Sequence, residues 1–482
     1  MRKKVDLLLV IPRQANTAKF LSLSSGITHP LGAGYVANYL IKHGFNVEIL
    51  DNVIEQLNRQ EFSNYIGKIQ PSCVGFSTFT TSINNAFNFA SAIKEVNKST
   101  KVIMGGMHAS ALPEDVLRHE EVDIVVKGEG EETTLELLRV LENGGNLRNI
   151  KGIVYKDSGQ IINNPDRELI KGIDSLPLPA YELLPMEKYY LPASRRMGTG
   201  RAGSIITGRG CPYQCTFCSR SIFGKKIRLR SPESVVKEIK HLVINYKIKE
   251  FLIWDDVFTI DQKRAIEICR LIRKNKLNII WSCSSRVDCI SDKLFQELSL
   301  AGCREILLGA ESGSQIILDS FRKDTTLAQI EESVRLCKKH NMLAFCTFVL
   351  GSSAETKETL AETLRFVKKI DPHYAIFCLL APLPGSQLFN EAVASGKINL
   401  IDTNWDDYIS ILSSVPPPIQ ISGLDRKELI KWQKKSFREF YLRPKYILRH
   451  LCNLKSLNHI FESWRGFRAL MGHQLHVFDF HK

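Results

Sequence analysis

No stretch of this chain is apolar for long enough to cross a bilayer; its longest runs, such as Leu7-Leu8-Leu9-Val10-Ile11, have the length of a β-strand. The start, Met1-Arg2-Lys3-Lys4-Val5-Asp6, leads into such a run without the h-region and cleavage site of a secretory leader. Paired cysteines are lacking as well. The 12 cysteines are mostly solitary and set in apolar patterns, which argues against a secreted disulfide framework and for a reduced, cytoplasmic setting. No short-period repeat and no known nucleic-acid module is recognisable, so no nucleic-acid partner is expected. What is present is a globular composition, 44% apolar and 24% charged over 482 residues, enough for two or three domains. The net charge of +14 is uneven: residues 426–482 hold 13 Lys/Arg against 4 Asp/Glu. Such a tail suits an anionic membrane surface, nucleic acid, or simply a solvated helical face.

Residues 1–145 alternate strand and helix. Apolar strands are expected at Val5–Ile11, Val47–Leu50, Cys73–Ser77, Val102–Met104 and Ile124–Val126, with helical patterns such as Gly34–His43 and Ala86–Val96 between them. Five such units predict an α/β, doubly wound parallel sheet, which binds ligands at the C-terminal ends of its strands. Residues 146–195 read as a hairpin followed by a proline-rich connector, Leu176-Pro177-Leu178-Pro179-Ala180-Tyr181. A second series of six units fills 196–392, with strands at Ser204–Thr207, Phe251–Trp254, Ile279–Ser282, Glu305–Leu308, Ala344–Leu350 and Ala375–Leu380. Six parallel units predict a partial (β/α)₆ barrel with its active site at the strand C-termini. The remainder, 393–482, reads as a basic, mainly helical region.

Cys211-Pro-Tyr-Gln-Cys215-Thr-Phe-Cys218 stands where the first barrel strand ends, with Gly208-Arg209-Gly210 and Pro212 fixing a turn. Clusters of the 4Fe-4S type are normally held by four thiolates. A C-x₃-C-x₂-C triplet holds only three corners and leaves one iron open to another ligand. The plainer alternatives are structural cysteines or a zinc knuckle, but zinc usually adds a second Cys or His pair. The next candidate, His241, lies on a helical pattern. Cys269, Cys283, Cys303, Cys337, Cys346 and Cys378 lie within predicted elements and read as core fillers.

The triplet, with an aromatic before its last cysteine, resembles the hallmark of radical S-adenosylmethionine (SAM) enzymes. In them the open iron chelates SAM, and reductive cleavage yields a 5′-deoxyadenosyl radical. The resemblance extends to the strand ends. It implies that Asp255 and Asp256 contact the SAM amino group, that Arg286 pairs with its carboxylate and that Glu311 binds the ribose; a guanidinium suits a carboxylate, and a carboxylate suits vicinal hydroxyls. The first sheet resembles cobalamin-binding domains. Ser77 and Thr78 match the turn after its third strand, and Gly105 and Gly106 the turn after its fourth. Gly128-Glu129-Gly130-Glu131-Glu132 and the Leu-Pro-Leu-Pro strap are also familiar from the cobalamin-dependent radical SAM group. The Asp-x-His-x-x-Gly segment of other cobalamin proteins is missing after the first strand, where Pro12-Arg13-Gln14-Ala15-Asn16-Thr17 stands. Cobalamin is therefore expected without a histidine lower ligand, His29 and His108 being the nearest histidines.

This resemblance implies three cofactors, a 4Fe-4S cluster, SAM and cobalamin, and an external electron donor such as flavodoxin or ferredoxin. The leading expectation is methylation of an unactivated carbon in a lipid-like or secondary-metabolite substrate. One SAM supplies the methyl carried by cobalamin and a second supplies the radical. Oxidative cyclisation or ring rearrangement on the same scaffold is the first alternative, and a non-catalytic cobalamin- or RNA-binding iron–sulfur protein the second. A tRNA methylthiotransferase would bring a second three-cysteine site, whereas residues 1–210 contain only Cys73. In the tail, Trp432, Phe437, Phe440, Tyr441, Tyr446, Phe461, Trp464 and Phe467 interleave with Lys and Arg as interfacial helices do. A peripheral membrane contact and a helical cap on the barrel both fit that pattern.

Overall fold

Five consecutive apolar residues form strand β1 (Leu7–Ile11), and all five are buried, as required of a parallel strand covered on both faces. The computed structural model describes residues 4–14, 26–191, 197–198, 200–408 and 419–452. β1 pairs in parallel with β2 (Val47–Asp51) and β3 (Cys73–Ser77), followed outward by β4 (Lys101–Gly105) and β5 (Ile124–Val126). The order is β2-β1-β3-β4-β5, which reverses between β1 and β3 and opens a crevice at their C-terminal ends. The hairpin that the sequence assigns to the connector belongs to this sheet. Its strands β6 (Ile153–Asp157) and β7 (Gln160–Asn163) extend it, antiparallel, to seven strands.

The second sheet contains β8 (Arg201–Ile205), β11 (Ile248–Ile253), β12 (Ile280–Ser285), β13 (Cys303–Glu311), β14 (Leu343–Leu350) and β15 (Tyr374–Leu379), all parallel and in chain order. β8 and β15 are open edges, so this is the expected partial barrel. Between β8 and β11 lies a small ribbon, β9 (Gly208–Arg209) paired with β10 (Arg228–Leu229). Ser231 caps the helix Pro232–Tyr246 by accepting from Ser234 N–H, and Val235, Val236, Ile239 and Leu242 form its buried face. Cys269, Cys283, Cys303, Cys337 and Cys346 are buried in the barrel core, as expected of core fillers.

The proline strap runs directly over the helix Leu31–Lys42. Ala180 N–H donates to Gly34 O (2.9 Å) and Asn38 Nδ2 to Leu178 O (2.6 Å). A Cβ on Gly34 would lie 2.8 Å from Pro179 Cβ, so glycine permits this approach.

The region after residue 392 serves both domains. Helix Arg426–Tyr441 covers the barrel edge. Gln433 Nε2 donates to Phe377 O (2.8 Å) and Tyr441 Oη to Ala375 O (2.9 Å), which gives edge strand β15 side-chain partners. Phe440 is fully buried, and Trp432, Phe437, Tyr441 and Tyr446 pack on the barrel core. Asp371 draws in Arg443, Lys445 and Arg449 at 2.9, 3.1 and 3.3 Å. Trp432, Phe437, Phe440, Tyr441 and Tyr446, with Arg443, Lys445 and Arg449, thus form a cap on the barrel. Phe461, Trp464 and Phe467 lie outside the described residues. Ile398, Trp405, Tyr408 and Ile419 instead complete the core of the first domain.

Candidate functional site

The cysteine loop leaves the ribbon at Gly210, whose φ is +89° and whose Cβ would lie 2.3 Å from Lys226 O, so only glycine allows this exit. Backbone hydrogen bonds tie the loop to later strand ends: Thr216 N–H donates to Phe321 O (3.0 Å) and Leu388 N–H to Thr216 O (3.0 Å). Cys218 N–H closes a turn on Cys215 O (3.2 Å). Cys211 is half-buried, Cys215 buried and Cys218 exposed to the barrel mouth. The surrounding protein pushes the Cys218 thiol up to about 12, and the neighbouring Cys215, Asp256 and Cys211 add to the effect. The same causes, desolvation first and then Asp256 and Cys215, raise Cys211, although the Tyr213 N–H opposes them.

Among the described residues, no three His, Cys, Asp or Glu side chains converge on a single metal-ion position. A cubane cluster takes each thiolate on a different iron, so three thiols spread along one short loop fit it better than they fit zinc.

Asp255 and Asp256 follow β11 and part ways. Asp255 is buried and accepts from Thr207 N–H (2.6 Å) and from the Thr207 hydroxyl. Burial raises its carboxyl above the usual range, while Thr207 and Arg264 oppose that rise. Its hydrogen bonds fix the turn before the cysteine loop. Asp256 opens to the mouth beside Cys211 and Cys218 and is the member of the pair available to an amino group. Desolvation raises its carboxyl too, against the Gly210 N–H.

Arg286, at the end of β12, grips Asp288 with two nitrogens (2.9 and 3.0 Å) and donates to Lys323 O (2.6 Å). Its guanidinium lies 3.5 Å from the ring centroid of Tyr213 in the cysteine loop. Nη1 faces the cysteine loop, 3.8 Å from Cys215 Sγ. Glu311 ends β13 with φ +64°, an uncommon conformation for a non-glycine residue. Its Oε1 meets Lys323 Nζ at 2.7 Å, with both side chains under a tenth exposed. Burial works against the ammonium charge, but Glu311 and Cys215 outweigh it and hold Lys323 above its ordinary range. A Cβ on Gly309 would lie 2.5 Å from Glu311 Oε1 and 2.8 Å from Lys323 Nζ, so the glycine makes room for the pair. The sequence offered no signal for Lys323, one charged residue in Phe321-Arg322-Lys323-Asp324.

In the first sheet, the residues after β3 and β4 do come together. Thr78 N–H and Oγ1 both donate to Gly105 O (2.8 and 2.7 Å), and His108 N–H donates to Thr78 O (3.3 Å). Thr78 is buried and fastens the two turns; Ser77 remains half-buried beside them. Gly106 has φ +92°, and its Cβ would lie 2.5 Å from Thr78 N, so it cannot change without moving the turn. A Cβ on Gly105 would meet Val126 O at 3.7 Å, an ordinary contact, so this glycine is not required by its protein neighbours as Gly106 is. His29 Nε2 donates to Ser204 O (2.8 Å), and its ring stands edge-on to Tyr181 and Tyr189, so its bonding ties the first barrel strand to the connector rather than to the turns after β3 and β4.

A buried ionic clamp joins the two halves. Arg209, two residues before Cys211, meets Glu129 at 2.6 Å and Glu131 at 2.7 Å, and Arg228 on the paired strand meets Glu129 at 2.5 Å. Glu129 also accepts from Ile170 N–H (2.9 Å). The Gly-Glu-Gly-Glu turn after β5 thus holds the ribbon from which the cysteine loop springs.

An open six-stranded barrel with this loop behind its first strand defines a SAM-cleaving iron–sulfur enzyme. Residues 205–367 match the model of the radical SAM superfamily, and residues 21–138 that of the B12 binding domain. The uncharacterized methyltransferase PH0819 of Pyrococcus horikoshii is 34% identical over 471 residues, 97% of this chain and 98% of its own length. The anaerobic magnesium-protoporphyrin IX monomethyl ester cyclase of Rubrivivax gelatinosus is 29% identical, covering 87% of this chain and 74% of its own. In fold, the radical SAM methyltransferase TsrM of Kitasatospora setae superposes with a TM-score of 0.67 at 20% identity, over 82% of this chain and 75% of its own. The chain belongs to the cobalamin-binding-domain family of radical SAM enzymes. A non-catalytic role is thereby set aside.

Proposed function

We propose that this enzyme moves a methyl group from SAM to an unactivated carbon of a lipid-like or secondary-metabolite substrate. The observation that carries the reading is the clamp of Arg209 and Arg228 on Glu129 and Glu131, which fixes the cobalamin-type domain to the ribbon that bears the cysteine loop. When bound, the cluster supplies the electron that breaks a carbon–sulfur bond of SAM, and cobalamin carries the methyl group. Cys211, Cys215 and Cys218 would hold the cluster. Asp256, Arg286 Nη1 and Glu311 would receive the amino, carboxylate and ribose groups of SAM, with Asp255 bracing the turn. Ser77, Thr78, Gly105 and Gly106 would line the cobalamin tail pocket.

Large apolar side chains stand exposed at both sets of strand ends, Phe79 (49%), Met107 (37%) and Trp254 (44%). Burying them against flat or greasy ligands is favourable, which supports a corrin and an apolar substrate nearby. Each turnover converts one SAM to S-adenosylhomocysteine and a second to methionine and 5′-deoxyadenosine, with two electrons from an external flavodoxin or ferredoxin.

The test is an anaerobic incubation with SAM carrying a trideuterated methyl group and mass spectrometry of lipid, tetrapyrrole and small-metabolite pools. A methylated product that carries all three deuterium atoms supports the reading. Cyclisation, the activity in the Rubrivivax relative's name, would give 5′-deoxyadenosine with no deuterium in product. No helix of the described residues is long and apolar enough to span a membrane. Peripheral contact would use exposed residues such as Leu448 (61%), and sedimentation with anionic liposomes reads it out.

A further inference from the structure

Of the three residues between Cys211 and Cys215, Pro212 and Gln214 are exposed and only Tyr213 is half-buried. Its side chain is engaged twice by a single turn on another strand. That turn follows β12 and runs from Arg286 to Cys289, closed by the Cys289 N–H on Arg286 O (3.2 Å). At the near end, the Arg286 guanidinium lies 3.5 Å from the Tyr213 ring centroid, the shortest cation–ring distance among the described residues. At the far end, the Tyr213 hydroxyl meets the buried Cys289 Sγ at 3.1 Å. The backbone of Tyr213 is pinned as well, because Arg220 Nη1 donates to Tyr213 O. A leucine of similar bulk would fill the space and make neither side-chain contact.

We propose that Tyr213 is a positioning residue for SAM: its ring orients Arg286 and its hydroxyl holds the turn that Arg286 opens, so that the cysteine loop and the end of β12 act as one unit. This rests on the reading of Arg286 as the partner of the SAM carboxylate. The guanidinium is planar, and its other holds lie along its edge. Asp288 takes Nε and Nη2 at 2.9 and 3.0 Å, and Lys323 O takes Nη2 at 2.6 Å. A plane held only at an edge can still tilt about it. The Tyr213 ring bears on the face and stops that tilt, a contact that arginine makes well because its charge is delocalised and weakly hydrated. Orientation matters here because a carboxylate pairs best with a guanidinium that lies in its own plane. Tyr213 is also flanked by two cluster cysteines. Ordering of the loop around the cluster therefore sets Arg286 at the same time, and SAM meets a finished site only when the loop is in place.

Equilibrium titration of the full-length, anaerobically reconstituted protein tests this, with SAM and with 5′-methylthioadenosine, which keeps the nucleoside but lacks the amino acid. Tyr213→Leu should weaken SAM binding ~10-fold and leave 5′-methylthioadenosine within about twofold, with iron content and visible spectrum near those of the unaltered protein. Tyr213→Phe keeps the ring and loses only the Cys289 contact, and Cys289→Ala loses the same contact from the other side. Each should weaken SAM binding about threefold. Unchanged SAM affinity in Tyr213→Leu, an equal loss for 5′-methylthioadenosine, or an equal loss of SAM affinity in Tyr213→Phe would overturn the assignment. Should Tyr213→Leu fail to take up iron, the other two variants decide, and undiminished SAM affinity in both overturns it. Arg286→Met separates the two layers. If that variant binds SAM as tightly as the unaltered protein, the reading of Arg286 falls; if it binds weakly and Tyr213→Leu binds normally, only the part given to Tyr213 falls.

Discussion

Arg209 and Glu129 meet at 2.6 Å with both side chains about 5% exposed or less, and through them the cysteine loop of one domain is anchored to the strand-end turn of the other. Two cofactors that must exchange a group need their loops held at fixed separation. An ionic contact across this boundary does that, provided every partner is present. Glu129 receives Arg209, Arg228 and the Ile170 N–H, so its oxygens are fully engaged.

Breaking that clamp is predicted to be costly. Glu129→Ala leaves two buried guanidinium groups without their shared partner, a loss of about 3–5 kcal/mol for a buried pair. The expected outcome is a clearly lower thermal midpoint and poor cluster retention, measured by melting and iron content. An exposed pair such as Arg270–Glu267 should be silent in the same assay.

Lys323→Met is predicted to separate SAM binding from cluster assembly. Without the ammonium, Glu311 is left buried and uncompensated in its strained conformation, and SAM affinity should fall by ~10- to 100-fold. Iron content and the visible spectrum of the cluster should stay near those of the unaltered protein. Gly309→Ala, which crowds the same pair, should shift SAM affinity in the same direction. Binding titrations with SAM, read beside iron analysis, check both.

The two glycines of the cobalamin turn should behave differently. Gly106→Ala forces a Cβ to 2.5 Å from Thr78 N at positive φ and should lower the thermal midpoint even without cobalamin. Gly105→Ala meets only ordinary contacts, its Cβ 3.7 Å from Val126 O, and should leave cobalamin-free stability nearly intact while reducing cobalamin retention after desalting. Melting curves and corrinoid absorbance after gel filtration distinguish the two.

Acid should destabilise the cobalamin-free fold through its buried histidines. Burial lowers His29 from 6.5 to about 4 and His108 to about 3. Both groups therefore bind fewer protons folded than unfolded in this window. Their contribution is complete above about pH 6.5 and is lost as pH falls towards 4. His29→Gln, which can still donate to Ser204 O, should flatten the dependence of the thermal midpoint between pH 6.5 and 4.5.

Much of this architecture is written in apolar runs. Leu7–Ile11 and Leu343–Leu350 are buried parallel strands, and continuous hydrophobicity of that length has few other uses. The cysteine triplet is legible because its spacing is local, and Asp256, Arg286 and Glu311 because each follows a strand end. What pairs across long separations is not legible. The β6–β7 hairpin reads equally well as a free connector until Val126 opposite Ile153 places it on the sheet edge. Lys323 looks like any surface lysine until Glu311 is found 2.7 Å away. Trp405 carries no mark that it would cross to His108 in the other domain.

The central claim is that Cys211, Cys215 and Cys218 hold a 4Fe-4S cluster that cleaves SAM at the barrel mouth. Its most direct measurement is 5′-deoxyadenosine formed by anaerobically reconstituted, chemically reduced protein given SAM, alongside the triple Cys→Ala variant. The account predicts 5′-deoxyadenosine from the unaltered enzyme and none above background from the variant, which should also lack the cluster's visible absorbance. Absence of product from the fully reconstituted enzyme, or equal product from the variant, would contradict it.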